Sequence, residues 1–258
     1  MKIVVAGLGR MGSQIARKLA EDSHEVFAHN RSREPIELAA KYGAKPAYEK
    51  NEALKGFGGD QFILWLMVPS EIVDEQLKLW LELAPKGSII IDGGNSDYRL
   101  TRRRAETVKT KGSVLLDCGT SGGVWGYKNG FSMMVGGDRP TYKAVEPIFK
   151  TLAKSDGAYQ FFGPAGAGHF VKMVHNAIEY GMMQSLAEGY RVLEEGPYKE
   201  LDLAAAGEVW QHGSVVNSWL NELTRQALSE NPSLEGIDGI VAESGETRWT
   251  LETAKELD

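Results

Sequence analysis

A chain of 258 residues, 42% apolar and 25% charged, is long enough to bury one or two cores and too apolar to be disordered. Its formal net charge of −6 excludes a general nucleic-acid binder, and its longest apolar run, Phe62 to Val68, falls far short of the roughly 20 residues that cross a bilayer. No cleavable leader is read in MKIVVAGLG, and the lone Cys118 excludes an internal disulfide, so the expected setting is a reducing cytoplasm, without membrane or nucleic acid as partner.

Lys2 to Ala6 is an apolar, β-branched run that predicts a strand ending in Gly-Leu-Gly. Met11 to Glu21 follows with Met11, Ile15 and Leu19 spaced by four, a helical stripe. Glu25 to His29 reads as a second strand, Glu34 to Lys41 as a helix halted at Gly43, and Phe62 to Val68 as a buried strand closed by Pro69-Ser70. A helix from Glu71 to Leu83, a turn at Pro85-Lys86-Gly87, a strand from Ser88 to Asp92 and a helix from Leu100 to Lys111 continue the pattern. Val114 to Cys118 and Phe131 to Val135 add strands, and Thr141 to Ala153 a helix. Such alternation predicts a parallel sheet with helices on both faces. Beyond Gly163-Pro164 the pattern changes: Ala167 to Glu195 keeps helical periodicity without a proline for about 43 Å, and the remainder reads as helix and loop. The fold class is therefore α/β, an N-terminal Rossmann-like doubly wound sheet over residues 1–164 followed by an all-helical domain over residues 165–258.

Gly7-Leu8-Gly9-Arg10-Met11-Gly12 is a G-x-G-x-x-G turn between a strand and a helix. The first glycine permits the turn, the second admits a pyrophosphate against the backbone, and the third lets the helix pack on the strand. Free N–H groups and the helix dipole favour the anion. Where a carboxylate would take a ribose 2′-hydroxyl, the chain reads His29-Asn30-Arg31-Ser32-Arg33. Arg31 can pair with a 2′-phosphate that a carboxylate would repel, so NADP is expected ahead of NAD.

Two further glycine turns, Gly93-Gly94-Asn95-Ser96 and Gly119-Thr120-Ser121-Gly122-Gly123, follow strands at the sheet edge where ligands of such folds bind. Gly119-x-Ser121-x-Gly123 also matches a hydrolase nucleophile elbow, but Val124 to Gly130 reads as loop where the elbow needs a helix. Along the long helix, Lys172, His175, Asn176, Glu179 and Tyr180 fall on one face, with Phe170, Val174, Ala177, Ile178 and Gly181 opposite. A polar stripe is ordinarily a solvated face. This one mixes an amine, an imidazole, an amide, a carboxyl and a phenol, an inventory suited to acid–base work. His175 and Glu179 could share a metal at i, i+4, but no third ligand follows, and no metal is expected. Arg99, Arg102, Arg103 and Arg104 read as a solvated helix face.

The segments GLGRMG (Gly7 to Gly12), IIDGGNS (Ile90 to Ser96), SGGVWGYKNG (Ser121 to Gly130) and GAGHFVKMVHNAIEYGMMQ (Gly166 to Gln184) resemble those of the decarboxylating 6-phosphogluconate dehydrogenases, over about residues 1 to 255. Lys172-Met173-Val174-His175-Asn176 separates the chain from the cousin β-hydroxyacid dehydrogenases, which carry K-x-x-N-N there. The resemblance implies that Lys172 takes the C3 hydroxyl proton while hydride passes to the nicotinamide. The 3-keto acid then loses carbon dioxide, and Glu179 protonates the enediol carbon. Desolvation would favour the neutral amine and the protonated carboxyl that these roles need. It also implies that Asn95, Ser121, Gly122, Gly123, His175 and Asn176 hold the sugar acid and Tyr180 its phosphate. Asn30, Arg31 and Ser32 would receive the 2′-phosphate, and Met67, Val68, Pro69 and Asn95 would line the cofactor. Arg248 and Thr250 fall in a substrate-loop region of the family. The chain resembles the family's short form and reads as stopping at Asp258 inside a helix. The helical domain is therefore expected to be incomplete and to be completed in a homodimer or homotetramer. The competing expectations are a β-hydroxyacid dehydrogenase for a small unphosphorylated acid and an inactive NADP-binding subunit.

Overall fold

The computed structural model describes residues 1–154, 157–241 and 244–257. Strand β1 (Lys2–Ala6) leads into helix α1 (Gly12–Glu21), followed by β2 (Glu25–His29), α2 (Arg33–Ala40), β3 (Lys45–Pro46), α3 (Lys50–Lys55), β4 (Ile63–Leu66) and α4 (Val73–Leu81). Next come β5 (Ile89–Asp92), α5 (Tyr98–Thr110), β6 (Val114–Ser121), α6 (Gly126–Asn129), β7 (Ser132–Gly136), α7 (Arg139–Leu152) and β8 (Tyr159–Gly163). Four helices complete the described chain: α8 (Ala167–Glu195), α9 (Leu203–Gln211), α10 (Trp219–Glu230) and α11 (Glu246–Leu257). Asp258, where the sequence reads as stopping within a helix, lies outside the described residues.

The strands form one eight-stranded sheet in the order β3-β2-β1-β4-β5-β6-β7-β8. β1 to β6 are parallel, β7 is antiparallel to β6, and β8 is parallel to β7. Strands covered on both faces are apolar along most of their length, which is why β1, β4 and β5 read as apolar runs, interrupted only by Lys2 at the start of β1 and Asp92 at the end of β5. Alternation sends Ile3 and Val5 to the face packed with Ile15, Leu19, Ile36 and Phe149. Val4 and Ala6 go to the other, with Leu64, Leu66, Trp80 and Val108. The fold is the doubly wound sheet and helical region expected from the sequence.

Several local expectations need correction. β6 does not stop at Cys118, because β7 pairs with it as far as Ser121↔Ser132. The glycine turn read at Gly119 to Gly123 is thus half strand and begins at Gly122, where φ is 128°. Val124 to Gly130 is not loop: a 3-10 turn (Gly123–Trp125) runs into α6. A helix therefore does follow Ser121. The elbow still fails, because its serine must sit on a strained turn, whereas Ser121 is paired strand and is not among the positive-φ residues.

Packing divides the chain into two compact units, Met1–Val174 with the residues from Arg248 on, and His175–Thr247. The sequence change near residue 164 precedes that division because the first turns of α8 lie directly on the sheet. A Cβ on Gly168 would stand 2.8 Å from the Gly136 nitrogen and 2.9 Å from the Asp117 carbonyl oxygen. α11 returns to the same unit: Thr250 Oγ1 donates to the Met173 carbonyl at 3.1 Å, and Arg99 Nη2 reaches Thr253 Oγ1 at 3.1 Å and Glu256 at 2.8 Å. In the second unit, buried Asn221 of α10 accepts from Tyr190 Oη and donates to the Gly207 carbonyl, and Tyr190 packs on Trp210 with ring centroids 5.3 Å apart. Among the described residues no helix is long and apolar enough to cross a membrane.

Candidate active site

The turn after β1 is built for close approach. Gly7 has φ 96°, and a Cβ there would stand 2.8 Å from the Met67 carbonyl carbon and 3.0 Å from Val68 Cγ1. A Cβ on Gly12 would overlap the Gly7 carbonyl, so only glycine lets α1 start so near the strand. Beside Gly9, by contrast, a Cβ would meet nothing within 4 Å, which leaves room against the backbone for a pyrophosphate. Leu8 N–H donates to Asn30 Oδ1 at 3.0 Å and so ties the turn to the end of β2. The residues fit a dinucleotide. Arg10, Arg31, Ser32 and Pro69 are exposed, Met11, Met67 and Val68 half-buried.

The turn after β5 is held from beneath. Buried Asp92 accepts from the Gly94 nitrogen at 3.2 Å and from Ser96 Oγ at 3.1 Å, which leaves Asn95 exposed at the tip. Arg104 donates to Ser96 Oγ at 3.0 Å and to Asp74 at 2.7 Å. It therefore departs from the solvated face expected for the arginine cluster: it is 4% exposed because it braces this turn. Its guanidinium also holds the Asp74 carboxyl below the usual carboxylate range. β5 is paired only as far as Asp92↔Asp117, so β6 outruns it and carries Ser121, Gly122 and Gly123 beyond that edge.

Helix α8 starts on a residue that the sequence reading passed over. Asp117, fully buried in β6, accepts from the Gly166 nitrogen at 2.7 Å and the His169 nitrogen at 2.8 Å, capping the helix. A carboxylate inside the run Val-Leu-Leu-Asp-Cys was the available signal, since buried charge needs partners. The cap and the glycines bring Lys172 down on Gly119, where a Cβ would overlap Lys172 Cβ and stand 2.9 Å from its Cγ. Lys172 is consequently 7% exposed.

Farther along α8, within the second unit, Asn176 is also 7% exposed, and its Nδ2 donates to Glu246 Oε1 at 2.8 Å. His175 Nδ1 lies 3.0 Å from Asn176 Oδ1 and 3.6 Å from Glu179 Oε2. Tyr180 is half-buried. Meanwhile Ile178 and Met182 are 59% and 42% exposed. Two polar side chains of the stripe, Lys172 and Asn176, are thus enclosed while Ile178 and Met182 are left exposed, and His175, Glu179 and Tyr180 are half-buried. Among the described residues no three His, Cys, Asp or Glu side chains are grouped to hold a metal ion.

Residues 2–163 match the model of the NAD binding domain of 6-phosphogluconate dehydrogenase, and residues 168–258 match that of the 6-phosphogluconate dehydrogenase C-terminal domain. The chain belongs to the 6-phosphogluconate dehydrogenase family. YqeC of Bacillus subtilis is 41% identical over 257 residues, covering 100% of this chain and 86% of its own. The NAD(+)-dependent, decarboxylating 6-phosphogluconate dehydrogenase of Haloferax volcanii is 40% identical over 263 residues, covering 100% and 85%. Among solved structures, the 6-phosphogluconate dehydrogenase of Plasmodium falciparum, studied with NADP+ and with 6-phosphogluconate, is similar with a TM-score of 0.90 at 29% identity. It is matched by 100% of this chain and 58% of its own, so this chain spans most of the first two relatives and little more than half of the third.

Proposed function

We propose that this family member oxidises 6-phosphogluconate with NADP and decarboxylates the product to ribulose 5-phosphate. The observation that carries the reading is the burial of two polar side chains of α8, Lys172 and Asn176. Leaving Ile178 and Met182 in solvent forgoes apolar burial, and enclosing Lys172 and Asn176 costs desolvation. A fold bears both where the enclosed groups have work to do. When bound, NADP would take the hydride from C3. Lys172 accepts the proton of the C3 hydroxyl as that carbon becomes a carbonyl. The carbonyl takes up the electrons of the breaking C1–C2 bond, carbon dioxide leaves, and Glu179 protonates the enediol carbon. Lys172 and Glu179 lie seven positions apart in sequence, both within α8. Asn95, Ser121, Gly122, Gly123, His175 and Asn176 hold that acid, and Tyr180 its phosphate.

Arg31, with no carboxylate beside it, supports the 2′-phosphate of NADP over the bare hydroxyl of NAD. Exposed Ile178, Met182 and Val192 on α8 support a homodimer or homotetramer, and the single buried Cys118 a cytoplasmic setting. The test is turnover of 6-phosphogluconate with NADP and NAD in parallel, following reduced nucleotide and carbon dioxide together. Equal release of both products is expected. Oxidation without carbon dioxide, or comparable efficiency with a small unphosphorylated 3-hydroxy acid, would refute the proposal.

A further inference from the structure

A hydrogen-bonded chain within the second unit ends on His175. Glu246, at the start of α11 and 3% exposed, accepts from Asn176 Nδ2 at 2.8 Å, and Asn176 Oδ1 faces His175 Nδ1 at 3.0 Å. An amide has one donating end and one accepting end, whereas a carboxylate only accepts. Glu246 therefore sets which way round the Asn176 amide lies. With Nδ2 committed to Glu246, Oδ1 meets the imidazole, and Nδ1 must supply the hydrogen. In a neutral imidazole the lone pair is then on Nε2.

We propose that Glu246 is a positioning residue which, acting through Asn176, fixes His175 as the Nδ1–H tautomer. The tautomer stands on the bonds alone; its effect on turnover rests on the function proposed above. Glu179 is one competing cause, although its Oε2 lies 3.6 Å from the same Nδ1, outside hydrogen-bond distance. Asn176 is the closer and more deeply buried partner.

The experiment reads the imidazole nitrogens of the full, ligand-free chain by long-range ¹⁵N–¹H correlation at a pH where histidine is neutral. His175 is identified among the five histidines by its loss in His175→Gln. The wild type is expected to show Nδ1–H, Glu179→Gln to keep it, and Glu246→Leu to give Nε2–H as the amide turns over. Glu246→Gln, whose Oε1 can accept the same bond, should restore Nδ1–H. An Nε2–H tautomer in the wild type, or an unchanged tautomer in Glu246→Leu, overturns the proposal. Should Glu246→Leu fail to fold, the wild type and Glu179→Gln decide: Nδ1–H in both supports the assignment, and loss in Glu179→Gln assigns the role to Glu179 instead. In turnover, Glu246→Leu should raise KM for 6-phosphogluconate about tenfold while NADP affinity holds, the effect of one neutral hydrogen bond, and Glu246→Gln should recover it. Absence of any 6-phosphogluconate turnover in the wild type would sink the proposed function and leave the tautomer result standing.

Discussion

Replacing Gly119 by alanine should push Lys172, the proposed base, out of place without touching its chemistry. The new Cβ would stand 2.9 Å from Lys172 Cγ and 3.0 Å from the Gly168 carbonyl oxygen, and would overlap Lys172 Cβ. Carbon atoms settle at about 3.5–4.0 Å, so α8 must retreat by roughly 1 Å. The retreat is opposed, because Gly168 already rests against Gly136 and Asp117, and Asp117 holds the first turn. Overpacking of this kind costs about 1–3 kcal/mol, or roughly 2–12 °C in Tm for a chain of this length. A displacement near 1 Å at a reacting group costs about 100-fold in rate. Thermal denaturation and kcat with 6-phosphogluconate and NADP measure both. Gly189→Ala, on the same helix where a Cβ meets nothing within 4 Å, serves as the control and should be neutral or stabilising by up to about 1 kcal/mol. A Gly119→Ala protein with wild-type Tm and kcat within twofold would refute the close-approach argument.

Arg31→Ala should cut the NADP-to-NAD ratio of kcat/KM by about 10- to 150-fold, the worth of a charge-assisted pair; a ratio near one in the wild type would remove the basis for it. Lys172→Met should abolish oxidation, and Glu179→Gln should slow overall turnover by about 10²–10⁴-fold with NADP affinity intact. Near-normal turnover in either variant excludes that residue. Burial pushes the Cys118 thiol up to about 12 from 9.0, so between these values the unfolded state sheds a proton that the folded state keeps. Stability from this group is therefore full below about pH 9 and falls by about 1.4 kcal/mol per pH unit above it. Denaturation of the wild type and Cys118→Ala from pH 8 to 10 should diverge accordingly, and parallel curves would contradict the shift.

The strands were legible because burial on both faces leaves an apolar signature, as in Ile63–Leu66 and in Ile89–Ile91 ahead of Asp92. β3 was not, being two exposed residues at the sheet edge, one of them proline. α3 announces itself only through the reciprocal cap of Glu49 and Glu52, which a search for apolar periodicity passes over. The stripe on α8 was legible as a stripe, since spacing alone sets which residues share a face. Spacing does not say which face meets water. That depends on Gly119, Gly136 and Asp117, which approach Lys172 or its helix from strands far away in sequence, and on Gly168, which lets the helix lie against them. Arg104 was misread for the same reason: its partners Asp74 and Ser96 come from other turns. Glu246 stands two residues before Arg248, yet only the fold shows that it meets Asn176.

The return of α11 to the first unit has a consequence for synthesis. Arg99 emerges 157 residues before its partner Glu256. At roughly 5–20 residues per second, the two are separated by about 8–30 s of translation. Once β8 has emerged the whole sheet is available to form, while Arg99 and then the Met173 carbonyl wait for Glu256 and Thr250. A nascent chain stalled before Arg248 would hold every strand of the sheet but not its closing helix. The first unit begins folding earliest and is completed among the last.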